Sequence, residues 1–367
     1  MISNAEYTPF YYLLITFFTF IFSLPLLKLK YVNNIPKIIE RGGVFIFLII
    51  PILFIGLRDP YDNDIYFGDT IRYTYFYEYL NRTEPYKDIG YYIYMYFFKN
   101  ILHFSIVLFY VSTAFLYVYI QYLAVKKMHL KNTLYLLIVI VTTMSFWNYG
   151  VNGIRSGLAS ALFLYGLTLS NKYVRIILFI SSFLIHKSFL LPIAIFYLVP
   201  LYGNVKFYIR IWIIAVFISI AIGPLILNFV SSNLSFLISE SDDRVNTYIA
   251  NSSTSTEGGR FRIDFILYSM IPIILAYYYI FYKKYNNNFY TRILKLYILT
   301  NTIWILLIYA NFTNRFAYLS WVLIPILLIY PLIKQNNLLK NQNLFLWCII
   351  ILNMGFTLLM FYKNSLS

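Results

Sequence analysis

The stretch FIGLRDPYDNDIYFGDTIRY, residues 54–73, places two arginines and four aspartates directly behind an apolar run, in a chain that is 60% hydrophobic and 12% charged. Three kinds of chemistry fit these residue types. Asp62 and Asp64 form a D-x-D pair, and in many sugar transferases such hard carboxylate oxygens hold a divalent metal. Asp69, between Gly68 and TIRYTYFY, is either the N-cap of a helix or a general base for a sugar hydroxyl. Arg58 and Arg72 carry planar forks that grip phosphate or carboxylate at two points, which lysine cannot do.

The same chemistry recurs downstream. Arg155 stands near the start of NGIRSGLASALFLYGL, where Gly157, Ala159, Ser160 and Ala161 let a membrane helix approach its neighbours closely. An arginine on such a central helix is expected to line a ligand cavity. His186 and Lys187 interrupt the apolar stretch FLIHKSFLLP, and Arg315 heads another, in ANFTNRFAYLSW. Arg315 reads either as an anion ligand or as an interfacial anchor beside Tyr318 and Trp321. Arg260 lies at the end of a Ser/Thr-rich stretch. Cys348 is the only cysteine and sits in an apolar run, which excludes disulfides and cysteine metal sites.

Membrane elements must position these residues. A mean hydropathy of +0.69 and 21% aromatic residues belong to a polytopic membrane protein. Apolar runs fall near residues 8–27, 43–57, 104–124, 133–149, 154–170, 173–202, 211–231, 263–282, 293–311, 316–333 and 343–362. The run 173–202 reads as two short helices meeting at His186 and Lys187, so a rule of roughly 20 residues per crossing predicts about twelve spans. The expected fold is a single all-α membrane domain, 1–367, with two sizeable outer loops. The first, 58–102, would carry an interfacial helix in EPYKDIGYYIYMYFFKN; the second, 232–262, turns polar and could gate a site. The first apolar run lacks a basic start and a small-residue cleavage site, which predicts a retained helix.

Charge predicts the orientation. With the N-terminus outside, loops 28–43, 125–132, 171–175, 203–210, 283–295 and 334–342 share one side. They hold 17 of the 29 basic residues and, of the 14 acidic ones, only Glu40; that side is expected to be the cytoplasm. Lysines follow the rule, 13 of 17 lying there, whereas eight of 12 arginines fall outside: Arg58, Arg72, Arg82, Arg155, Arg244, Arg260, Arg262 and Arg315. Pairing with outer acids accounts for Arg82 and Arg244, but not for Arg155 or Arg315. The excess points to an outward-facing site for an anionic ligand, most simply phosphate or pyrophosphate, and no nucleic-acid partner is expected.

The order GLRD…FGDTIRY, EPYKDIGYYIYMYFF, NGIRSGLASALFLYGL, FLIHKSF and NRFAYLSWVLIP, over residues 50–330, resembles the EpsG-like branch of bacterial O-antigen and exopolysaccharide polymerases, the Wzy type. The resemblance implies a GT-C-like bundle in the bacterial inner membrane with its site facing the periplasm. It implies an undecaprenyl-pyrophosphate-linked oligosaccharide as substrate, no cofactor, a chain-length regulator of the Wzz type as partner, and Arg58, Asp69, Arg155, His186 and Arg315 as working positions. Joined to the reading of the residues, Asp69, His186 and Arg155 are expected to be catalytic, and Arg58, Arg72, Lys187, Arg260 and Arg315 to bind substrate. No metal is expected, since arginines can neutralise a pyrophosphate leaving group. Two rivals stand beside this reading. An O-antigen ligase would use the same donor with another acceptor; a flippase or transporter would spread its charges through the membrane and show internal pseudo-symmetry.

Overall fold

A computed structural model describes residues 2–62, 65–80, 88–233, 261–310 and 313–365, and among them every regular element is helical. In chain order these are α1 (Asn4–Ser23), α2 (Lys37–Gly56), α3 (Thr70–Glu78), α4 (Ile89–Tyr96), α5 (Ile106–Lys127), α6 (Leu134–Val141), α7 (Met144–Val151) and α8 (Ile154–Thr168). They continue as α9 (Lys172–Ile185), α10 (Leu190–Leu198), α11 (Val205–Asn233), α12 (Ile263–Tyr277), α13 (Asn288–Leu306), α14 (Asn314–Trp321), α15 (Ile324–Lys334) and α16 (Gln342–Ser365).

Each expected apolar run is helical, but not each is a span. Among the described residues seven helices are long and apolar enough to cross a membrane: Asn4–Leu27, Lys37–Gly56, Ile106–Lys127, Val205–Ile226, Ile263–Tyr282, Asn314–Lys334 and Gln342–Lys363. The bent pair α6–α7 makes an eighth if it is one broken span. This is a multi-pass membrane protein, with fewer qualifying spans than the twelve expected from run length. The difference has local causes. The run 133–149 bends by 68° between α6 and α7, α8 has 15 residues and α9 has 14, and α13 carries Arg292, Lys295 and Asn301.

Side-chain caps set several helix starts. The Ser105 hydroxyl accepts from the Leu108 N–H at 3.4 Å at the head of α5. Asn171 accepts from Tyr173 and Val174 at α9, and Asn287 from Tyr290 at α13, satisfying N–H groups that have no partner within the helix.

The helices form two compact units, residues 1–189 with 329–367, and residues 190–328. In the first unit α8 packs against α5, α7 and α9, as its small residues predict. Gly157 lies against the Tyr149 carbonyl, a Cβ on Gly166 would come within 2.7 Å of the Phe179 ring, and the Ser182 hydroxyl donates to the Ala159 carbonyl at 2.8 Å. The second unit is held by a buried polar hub. Asn301 accepts from Trp212 Nε1 at 2.8 Å and donates to Ser320 and Ser269, while Trp321 Nε1 donates to Ser269 at 2.9 Å. A satisfied network of this kind fixes one packing of its helices. It also corrects the anchor reading of Arg315's neighbours, because Trp321 is fully buried and Tyr318 is nearly so.

Candidate active site

The break at His186 is where the site begins. Ser182 accepts the His186 N–H, closing α9; His186 itself is extended, with φ −151° and ψ 107°, and one short turn over Lys187–Phe189 precedes α10. The two expected short helices therefore do meet at this pair. The amphipathic segment of the first loop forms α4, with Tyr91 and Met95 buried and Ile89 and Ile93 exposed, and it docks on α9. Gly90 permits that docking: a Cβ there would stand 2.7 Å from the Leu184 carbonyl carbon, so only glycine fits without movement.

This contact delivers a residue that no sequence reading singled out. Asp88, the N-cap residue of α4 and 6% exposed, accepts from Arg155 Nη1 at 2.6 Å through Oδ2. The same oxygen lies 3.5 Å from His186 Nδ1, and Oδ1 accepts from the Lys187 N–H at 3.3 Å. Burial alone would raise the Asp88 carboxyl, but the hydrogen bond and charge of His186, the Arg155 guanidinium and the Lys187 N–H together hold it below the ordinary carboxylate range. Asp88 is therefore an anion at neutral pH. Arg155 is the second residue of α8, at the positive end of a helix with no acidic residue in its first turn. The helix dipole disfavours a cation there and favours an anion beside it. In this structure that anion is the Asp88 carboxylate of the expected first outer loop. Pairing with an acid of that loop therefore accounts for Arg155, against the expectation from the sequence, where it has no acidic neighbour along the chain.

The FGDTIRY segment is pinned to the same helix junction. Gly68 takes the left-handed backbone, φ +52°, that glycine tolerates. The Asp69 N–H donates to Asn152 Oδ1 at 2.9 Å, three residues before Arg155. Asp69 occupies the N-cap position of α3, but its carboxylate makes no cap bond and pairs with the half-exposed Arg72 at 3.4 Å. One turn further on, the Tyr73 hydroxyl accepts from Arg155 Nε at 3.4 Å.

Arg58 lies behind this surface. It is 1% exposed, donates through Nε to Thr70 Oγ1 at 2.9 Å and through Nη1 to the Ile55 carbonyl, and stacks on Tyr110 with 4.1 Å to the ring centroid. Its Nη2 has no hydrogen-bond partner, and the guanidinium borders a small cavity walled by Tyr110, Thr113, Tyr117, Tyr149 and Ile154. Burial pulls its pKa below the ordinary arginine value, against the opposing pull of nearby tyrosines led by Tyr110; arginine remains charged regardless.

The structure thus brings Arg58, Asp69, Arg72, Arg155 and His186 into one connected group, with Lys187 joined through its backbone while its side chain is exposed. Arg315 lies exposed in the first turn of α14 in the second unit. Arg260 and Asp64 lie outside the described residues, as do Arg82, Arg244 and nearly all of loop 232–262. Asp62 is occupied structurally: its buried carboxylate accepts from the N–H groups of Tyr66 and Phe67 at 2.9 and 3.0 Å. What sequence reasoning missed is the linking set, Asp88, Tyr73, Asn152, Thr70 and Tyr110. The position of Asp88 immediately before the IGYYIYMYFF helix was the available clue.

The profile of the EpsG family matches residues 43–367, a stretch that contains every residue of this group. No curated protein and no solved structure gives a significant match. The chain belongs to the EpsG family.

Proposed function

We propose that this member of the EpsG family is a polysaccharide polymerase. It would transfer a growing glycan from undecaprenyl pyrophosphate to the terminal sugar hydroxyl of a lipid-linked repeat, at the outer face of the bacterial inner membrane. Family membership supports a polymerase of the glycosyltransferase type; one observation carries the finer reading. A helix packed within the first unit presents an arginine in its first turn to the buried Asp88 carboxylate, beside a histidine at a helix break.

In the proposed step the acceptor hydroxyl oxygen bonds to the anomeric carbon, and the bond from that carbon to the lipid diphosphate breaks. The electron pair leaves with the diphosphate, and the hydroxyl proton passes to a base. Negative charge grows on the diphosphate in the transition state, so a preorganised guanidinium favours that state over the ground state. Arg155 holds the leaving group, and the buried charge of Arg58 adds to the local positive potential. His186 accepts the proton at Nε2 when Nδ1–H points to Asp88, with Asp69 as the second candidate base. Arg72 and Lys187 supply exposed cations at the rim, Arg260 and Arg315 remain proposed substrate ligands, and a Wzz-type regulator is the proposed partner.

Deleting the gene tests this reading. The expected phenotype is surface glycan shortened to one repeat on its acceptor, with single repeats accumulating on the lipid carrier. Loss of all surface repeats with polymer retained on the carrier would instead assign a ligase, and retention of single repeats on the inner leaflet a flippase.

A further inference from the structure

We propose that Asp88 is a positioning residue that occupies Arg155 until the donor's diphosphate displaces it and then turns fully to His186, so that the base is armed only once donor is bound. The inference rests on the polymerase reading, because it takes the diphosphate as the competing anion.

The geometry is that of one oxygen claimed by two partners. Asp88 Oδ2 stands 2.6 Å from Arg155 Nη1 and 3.5 Å from His186 Nδ1; the first is a short charge-assisted bond and the second lies at the outer limit of hydrogen bonding. In the resting state the carboxylate therefore serves the arginine and only weakly the histidine. Its backbone cannot follow the arginine away. Asp88 leads directly into α4, whose Gly90 rests on the Leu184 backbone of α9, and its Oδ1 is tied to the Lys187 N–H at 3.3 Å. The carboxylate is tethered on the histidine side and reaches out to Arg155.

A diphosphate presents several oxygens and more charge than a carboxylate, so it is the better partner for a guanidinium fork. Once it binds Arg155, the side chain that Asp88 still faces among the described residues is His186. A shortened bond to Nδ1–H fixes the tautomer with its lone pair on Nε2 and stabilises the imidazolium formed on proton transfer. Without donor the bond from Nδ1–H to Asp88 stays long and the tautomer is not fixed, which limits futile chemistry on an acceptor alone. The anionic state of Asp88 at neutral pH keeps it a genuine competitor for the site.

Inorganic pyrophosphate binding to the full-length protein in detergent tests the exchange. Removing a resident anion removes a competitor, so D88N should bind pyrophosphate about ten-fold more tightly than wild type while polymerising lipid-linked repeats more slowly. Unchanged or weaker binding by folded D88N overturns the proposal. A second measurement needs no variant of Asp88. In 15N-histidine-labelled wild type, with His186 assigned by its absence in H186Q, added pyrophosphate should move the Nδ1–H proton downfield as its bond to Asp88 shortens. An unmoved Nδ1–H at saturating pyrophosphate overturns the proposal equally. If wild type neither polymerises nor binds pyrophosphate, the polymerase reading falls and takes this inference with it. If wild type does both and D88N binds no more tightly, the assignment of Asp88 alone fails.

Discussion

Under the proposed function, arginine geometry should matter more than arginine charge at this site. Arg155 makes a 2.6 Å bond to Asp88 with one nitrogen and a 3.4 Å contact to the Tyr73 hydroxyl with another. Lysine keeps the charge and loses the fork, so Arg155→Lys should slow polymerisation by about ten-fold to a hundred-fold, the equivalent of one charged hydrogen bond formed mainly in the transition state. Chain-length distribution at matched protein level reads this out. Arg58 answers differently, because it is buried. Arg58→Lys gives up the Thr70 bond and the stacking on Tyr110 and leaves a compact ammonium in their place, which should cost about 2–3 kcal/mol of stability and lower the unfolding midpoint in detergent. Asp88 sets a pH signature. Its carboxyl is held low in the folded protein, so its stabilising contribution is fully present above the unfolded carboxylate value and is lost as pH falls through the folded one. The stability gap between wild type and Asp88→Asn should therefore be present at neutral pH and close only in acid, below the ordinary carboxylate range.

At the scale of elements, the approach of α4 to α9 builds the Asp88–His186 contact. Gly90→Ala would set a Cβ 2.7 Å from the Leu184 backbone, and backbone cannot yield as a flexible side chain can. The substitution should push α4 outward, cost about 1–3 kcal/mol, and slow polymerisation without touching any charged residue; wild-type polymer length from Gly90→Ala would show that the packing is slack. Some of this was legible in the sequence. The small residues of α8 announced a central helix, and the pair His186–Lys187 announced a broken run, because both are local patterns. Asp88 was not legible, since its partners Arg155 and His186 lie 67 and 98 positions away and only the α4–α9 docking joins them. The burial of Arg58 was equally hidden, since the sequence reads it as a substrate ligand and Tyr110, on which it stacks, lies far along the chain. Span count was over-read for a physical reason: run length registers neither the 68° bend between α6 and α7 nor the early ends that leave α8 with 15 residues and α9 with 14.

The proposed function requires the whole molecule to present this group to the side that holds lipid-linked repeats. The lysine-rich loops should face the cytoplasm, so in a background lacking Cys348, cysteines at exposed Lys131 and Lys340 should resist an impermeant thiol reagent in intact spheroplasts, while one at exposed Ile65 should react. The reverse labelling would turn the site inward. Metal dependence is tested on the same preparation: activity should persist in excess chelator, and full loss restored by magnesium or manganese would assign a metal to the reaction. The central claim is that the Arg155–Asp88–His186 group polymerises repeats from a lipid diphosphate, and reconstitution tests it most directly. Proteoliposomes containing only this chain and an undecaprenyl-pyrophosphate-linked repeat should yield a ladder of lengthening glycans and release undecaprenyl pyrophosphate, and both should fall together in Arg155→Lys and His186→Gln. A ladder of wild-type length and rate from both variants would contradict the account.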